Sequence, residues 1–81
     1  LSEENRRDLA RQAKHEAELS RVAIRNIRRD AIGDVRDLVK EKAISEDDAR
    51  RAEEDIQKLT DKQIADIDHA LAEKEADLLR I

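Results

Sequence analysis

Apolar residues recur along this chain at steps of three and four, almost from end to end. The first stripe runs Leu9, Ala13, Ala17, Ser20, Ile24, Ile27, Ala31, Val35 and Leu38, at a mean step close to the roughly 3.6 residues of a straight α-helix. It predicts one helix over about residues 3–42, roughly 60 Å long at 1.5 Å per residue. Ser2 is placed to cap its start, and Glu3 and Glu4 to meet the positive end of its dipole. Gly33, in its middle, costs about 1 kcal/mol relative to Ala and suits either close packing or a mild bend.

The only credible break is Lys40-Glu41-Lys42-Ala43-Ile44-Ser45-Glu46-Asp47-Asp48. Lys40 and Lys42 favour a helix C-terminus, and Ser45 followed by three acids favours a new N-terminus. Asp48 makes this a Ser-x-x-Asp variant of the capping box. A turn at about 43–45 then leads into a second helix at about 46–79, with Ala49, Ala52, Ile56, Leu59, Ile64, Ile67, Ala70, Leu71 and Leu78 as its apolar positions. So short a connection forces the helices antiparallel. In that register Val35 should face Ile56, Ala31 should face Leu59, Ile24 should face Ile67 and Ala13 should face Leu78.

Both stripes are wider than one seam requires. Ile64 and Leu71 lie well round from Ala52 and Leu59, and Ala10, Ile32 and Val39 fall outside the main seam of the first helix. A two-stranded coiled coil needs only a narrow apolar strip, so a further helical neighbour is expected. The expected fold is all-α: one unit over 1–81, a long antiparallel αα-hairpin. It is either part of a three-helix bundle or completed by self-association into a four-helix bundle, as a homo-oligomer.

Composition supports this. The 81 residues include one Gly, no Pro, no Cys and no aromatic residue, which leaves a β fold without its turn punctuation. Disorder competes when 47% of residues are charged, but the regular apolar spacing argues against it. The lack of Cys removes disulfides and thiol chemistry and suits a cytoplasmic setting. No apolar run approaches the ~18 residues of a membrane span, so no membrane partner is expected. The chain does not begin with Met, which points to a start inside a longer parent or to an engineered chain.

Charge adds the first functional signal. Net charge is −4, yet residues 1–42 carry 11 Lys/Arg against 9 Asp/Glu, and residues 43–81 carry 6 against 12. A general polyanion binder is excluded, and any nucleic-acid contact must be local to the first half. There, Arg21, Arg25, Arg28 and Arg29 share roughly a third of the helix circumference, beside the face of Ile24, Ile27 and Ala31. Arg21 with Arg25 and Arg25 with Arg29 are like-charge i,i+4 pairs, each destabilising by roughly 0.2–0.5 kcal/mol. No acid occurs between Leu19 and Arg29. A run of charge is more often a solvated face. A local rule broken without local compensation is nevertheless where function is sought first, and this edge suits phosphate.

Catalysis finds little support. His15 and His69 stand alone and read as surface histidines, and His15-Glu16 lacks the second His of a zinc-protease helix. Asp66-x-Asp68 lacks the glycine and terminal Glu of a calcium loop. Ser2, Ser45 and Thr60 have no general base at usable spacing, and no Gly-rich loop could hold a nucleotide. An enzyme, a metal, a cofactor and a small-molecule substrate are therefore not expected. The absence of aromatics excludes base stacking, so an arginine edge here would read the backbone of structured RNA.

Leu1-Ser2-Glu3-Glu4-Asn5-Arg6-Arg7, Arg21 through Ala31, Ile44-Ser45-Glu46-Asp47-Asp48 and Ile56-Gln57-Lys58-Leu59-Thr60-Asp61 resemble the bacterial ribosome recycling factor family. The resemblance spans the chain as the family's C-terminal portion, without its first bundle helix and inserted α/β domain. It implies a three-helix-bundle arm, and disassembly of the post-termination ribosome together with elongation factor G. It also implies contact between Arg25, Arg28 and Arg29 and large-subunit rRNA, with Arg28 foremost. Leu19-Ser20, Ala43 and Arg80 depart from the family's usual residues. The rival expectation is a structural or designed self-associating hairpin without recycling activity.

Overall fold

Two serine hydroxyls open the two helices of the computed structural model, which describes residues 2–80. Ser2 Oγ accepts from the Asn5 N–H at 3.2 Å and starts α1, Glu3–Lys40. Ser45 Oγ accepts from the Asp48 N–H at 3.1 Å and starts α2, Glu46–Leu79. Leu1 and Ile81, the ends of the expected unit, lie outside the described residues. Helix α1 stops at Lys40, short of the expected residue 42, because the chain turns left-handed at Lys42 (φ 60). There the Lys42 N–H donates to Val39 O and the Ala43 N–H to Leu38 O, both at 2.9 Å. This is a Schellman closure of the last carbonyls, built on a lysine where glycine is usual.

The helices run antiparallel as a rod of 60 × 15 × 9 Å. Ion pairs from Arg21 to Asp68 and from Arg36 to Glu53 tie them together. The all-α hairpin is therefore as the apolar spacing predicts, but its seam is turned. Along α1 the inward positions include Ala10, Ala13, Ala17, Arg21, Ile24, Arg28, Ala31, Val35 and Val39. Leu9, Ser20, Ile27 and Leu38, expected in the seam, are exposed. On α2 the inward positions include Ala49, Ile56, Thr60, Ile64, Ile67, Leu71 and Leu78, while Ala70 is exposed. Leu59, expected opposite Ala31, stands 60% exposed.

The physical reason is that α1 carries two apolar strips and has one partner. Only one strip can be covered, and the one with Ala10, Ala13, Ala17 and Ala31 lets the backbones approach closely. The core is correspondingly thin: Ala17, Ala49 and Thr60 are the buried residues among those described. Thr60, missed by the apolar pattern, satisfies its hydroxyl by donating to Ile56 O at 2.7 Å. Gly33 has open space where a Cβ would stand, so its smallness serves no close approach within this chain.

Candidate nucleic-acid interface

Because α1 is unbroken through residues 21–29, the four arginines keep their helical spacing, but their surroundings separate them. Arg21 lies in the seam with its side chain 18% exposed. Its Nε donates to Asp68 Oδ1 at 2.8 Å and its Nη2 approaches the same oxygen at 2.6 Å, while Nη1 donates to Glu18 Oε2 at 2.9 Å. Its hydrogen bonds to the Asp68 carboxylate, then to that of Glu18, raise the guanidinium above its already high ordinary value. It stays charged at every pH at which the fold is of interest.

Arg25 lies on the outer flank, 3.7 Å from Glu18 Oε1. That contact is ionic and beyond ordinary hydrogen-bond length. Arg29, exposed beside it, donates to the neutral amide oxygen of Asn26 at 2.6 Å. Arg28 is half-buried and has no hydrogen bond or ion pair with the described residues. It lines an apolar groove of about 220 Å³ with Ile24, Ile27, Ala31, Ile56 and Leu59. Among the described residues Arg28 and Arg29 are thus without a carboxylate partner, and Arg25 is only loosely held.

The charge segregation along α1 extends the picture. Arg7, Arg11 and Arg36 share the flank of Arg25 and Arg29 by helical spacing. Each has its own carboxylate: Glu3 at 3.0 Å, Asp8 at 3.3 Å and Glu53 at 3.1 Å. Asp68, from the other helix, neutralises Arg21, a pairing that the register with Ile24 opposite Ile67 brings within reach but that a reading of α1 alone misses. His69 Nε2 sits 3.1 Å from Glu73 on an exposed surface. Among the described residues no cluster of His, Cys, Asp or Glu could hold a metal ion, and no helix is long and apolar enough to cross a membrane.

An all-α hairpin with one loosely compensated basic stretch narrows the class to helical proteins with a local arginine edge. The chain belongs to the ribosome recycling factor family, whose model, described as "Ribosome recycling factor", matches residues 1–79. It is 60% identical over 81 residues to the ribosome-recycling factor of Acinetobacter baumannii strain SDF, covering 100% of this chain and 44% of that protein. The ribosome-recycling factors of Acinetobacter baylyi and Aromatoleum aromaticum are 58% and 59% identical, with the same coverage. The chain thus spans less than half the length of the curated relatives it matches.

Proposed function

We propose that this hairpin is the rRNA-contacting part of a translation factor that recycles ribosomes, with Arg25, Arg28 and Arg29 taking phosphates of large-subunit rRNA. The observation that carries this reading is a family member whose Arg28 and Arg29 lack any carboxylate partner in a chain otherwise rich in ion pairs. Arg21, proposed from sequence as a fourth contact, is already engaged by Asp68 and Glu18. Its part is indirect. Action with elongation factor G, in the cytoplasm, belongs to the full-length family member, and the hairpin contributes binding and not catalysis. Each of Arg25→Ala, Arg28→Ala and Arg29→Ala should weaken rRNA binding and lower the salt slope by roughly 1. A salt-independent affinity, or none lost in the triple variant, removes the reading.

The groove between the helices bears on the bundle. Its apolar floor carries Ile27 at 67% exposed and Leu59 at 60%. By helical spacing its rims carry Glu16, Asp30 and Asp34 on α1 and Asp55, Asp66 and Glu73 on α2, six acids against the two bases Arg28 and Lys74 that line the same side. A second copy docked groove to groove would bring together two predominantly acidic rims. A third helix with an apolar stripe flanked by Lys and Arg suits the groove better, favouring the three-helix bundle over the homo-oligomer. Sedimentation equilibrium decides between them: a stable dimer of this chain at moderate salt supports the rival, self-associating module.

A further inference from the structure

We infer that Arg21 is a positioning residue that holds the Glu18 carboxylate away from Arg25, leaving Arg25 available to an RNA phosphate. This rests on the RNA reading above. All three guanidinium nitrogens of Arg21 are engaged, two by Asp68 Oδ1 and one by Glu18 Oε2. With the side chain 18% exposed, neither edge of its fork faces outward for a phosphate. Arg21 is therefore the arginine of the cluster least suited to touch RNA.

Glu18 is the one acid interrupting the basic sector of α1, and it is shared unequally. Oε2 takes a charge-assisted hydrogen bond from Arg21 at 2.9 Å, and Oε1 lies 3.7 Å from Arg25. Arg25 remains 44% exposed. A phosphate arriving at Arg25 has only the longer contact to displace. Asp68 makes the arrangement tenable from α2, since its charge offsets the i,i+4 repulsion between Arg21 and Arg25. Take away the Arg21 head group, and Glu18 is left with Arg25 alone. The pair tightens, and Arg25 is masked.

The test uses the whole chain, deproteinised large-subunit rRNA as probe, and affinity across a salt series. Arg21→Gln should weaken binding several-fold, and adding Glu18→Gln should restore wild-type affinity or better. Glu18→Gln alone should strengthen binding more than Glu16→Gln, which removes the same charge from the other side of the helix. Glu18 is 55% exposed, so its substitution leaves the fold in place. If the double variant keeps a salt slope lower by about 1 than Glu18→Gln alone, Arg21 binds phosphate directly and the inference falls. If Arg21→Gln lowers the melting temperature and Glu18→Gln fails to rescue binding, the role is structural only and the inference falls too. The Arg25, Arg28 and Arg29 triple variant separates the two levels. If it loses affinity while Arg21→Gln binds as wild type, this inference alone is overturned. If the unaltered chain shows no salt-dependent affinity, the RNA reading goes and takes this one with it.

Discussion

Along one flank of the hairpin, Arg21 and Arg25 are met by Glu18 and Asp68, and Arg36 by Glu53. Along the other, Ile27 and Leu59 stand 67% and 60% exposed at the edge of an open groove. Two helices are enough to satisfy the first kind of surface and not the second. A guanidinium on a long stem can reach across a seam to a carboxylate, and water screens whatever remains. Apolar area is removed from water only by surface in contact with it, and a single partner helix covers a single strip. The charged flank is therefore largely settled within this chain, and the apolar flank is not.

The comparison breaks most severely at the seam itself. Ala17, 8% exposed, is the one buried residue of α1 among those described. Ala17→Leu should cost about 1–3 kcal/mol by overpacking, read as a lower midpoint in denaturant, and should disturb both flanks together. A smaller effect sharpens the contrast between strips. Ile24→Ala, in the half-buried strip, should cost about 1–2 kcal/mol, whereas Ile27→Ala should stay within about 0.5 kcal/mol in this hairpin. Comparable losses at the two positions would mean that the groove is covered in solution.

Backbone positions outside both flanks come next. Lys42, at φ 60, carries a side chain in left-handed backbone, so Lys42→Gly should stabilise by about 0.5–1 kcal/mol. Gly33→Ala, with nothing within 4 Å of the added methyl, should gain a similar amount, about 1 kcal/mol at most. Thermal melts of the two variants, which add independently if the sites are uncoupled, check both. The smallest effect belongs to the outer ion pair. Arg36 is 69% exposed, and Arg36→Ala should cost no more than a few tenths of a kcal/mol, vanishing at high salt.

Much of this was legible in the residues. Ser2 and Ser45 marked both helix starts because a hydroxyl three residues before an orphan N–H is a local signal. The left-handed turn at Lys42 was not legible, since nothing but glycine advertises it. Thr60 in the seam escaped a reading that counted only apolar residues on the second helix; its hydroxyl is satisfied by its own helix. Family membership was carried by strings of specific residues and did not depend on the seam at all.

The choice of strip was a different matter. Periodicity showed that α1 is apolar over a wide arc, but it placed Leu9, Ser20, Ile27 and Leu38 inward and Ala10 and Val39 outside. A turn of the helix about its axis by less than one residue's spacing exchanges these sets, and no pattern along a single helix fixes that angle. It is set by where two backbones can approach, and by Asp68 reaching Arg21 from the facing helix. By itself the chain's order of residues determined two antiparallel helices and an arginine cluster on one of them. Only the packed pair decided which of those arginines is bound into the seam and which is more loosely held, because that division depends on Asp68, far away in sequence and near in space.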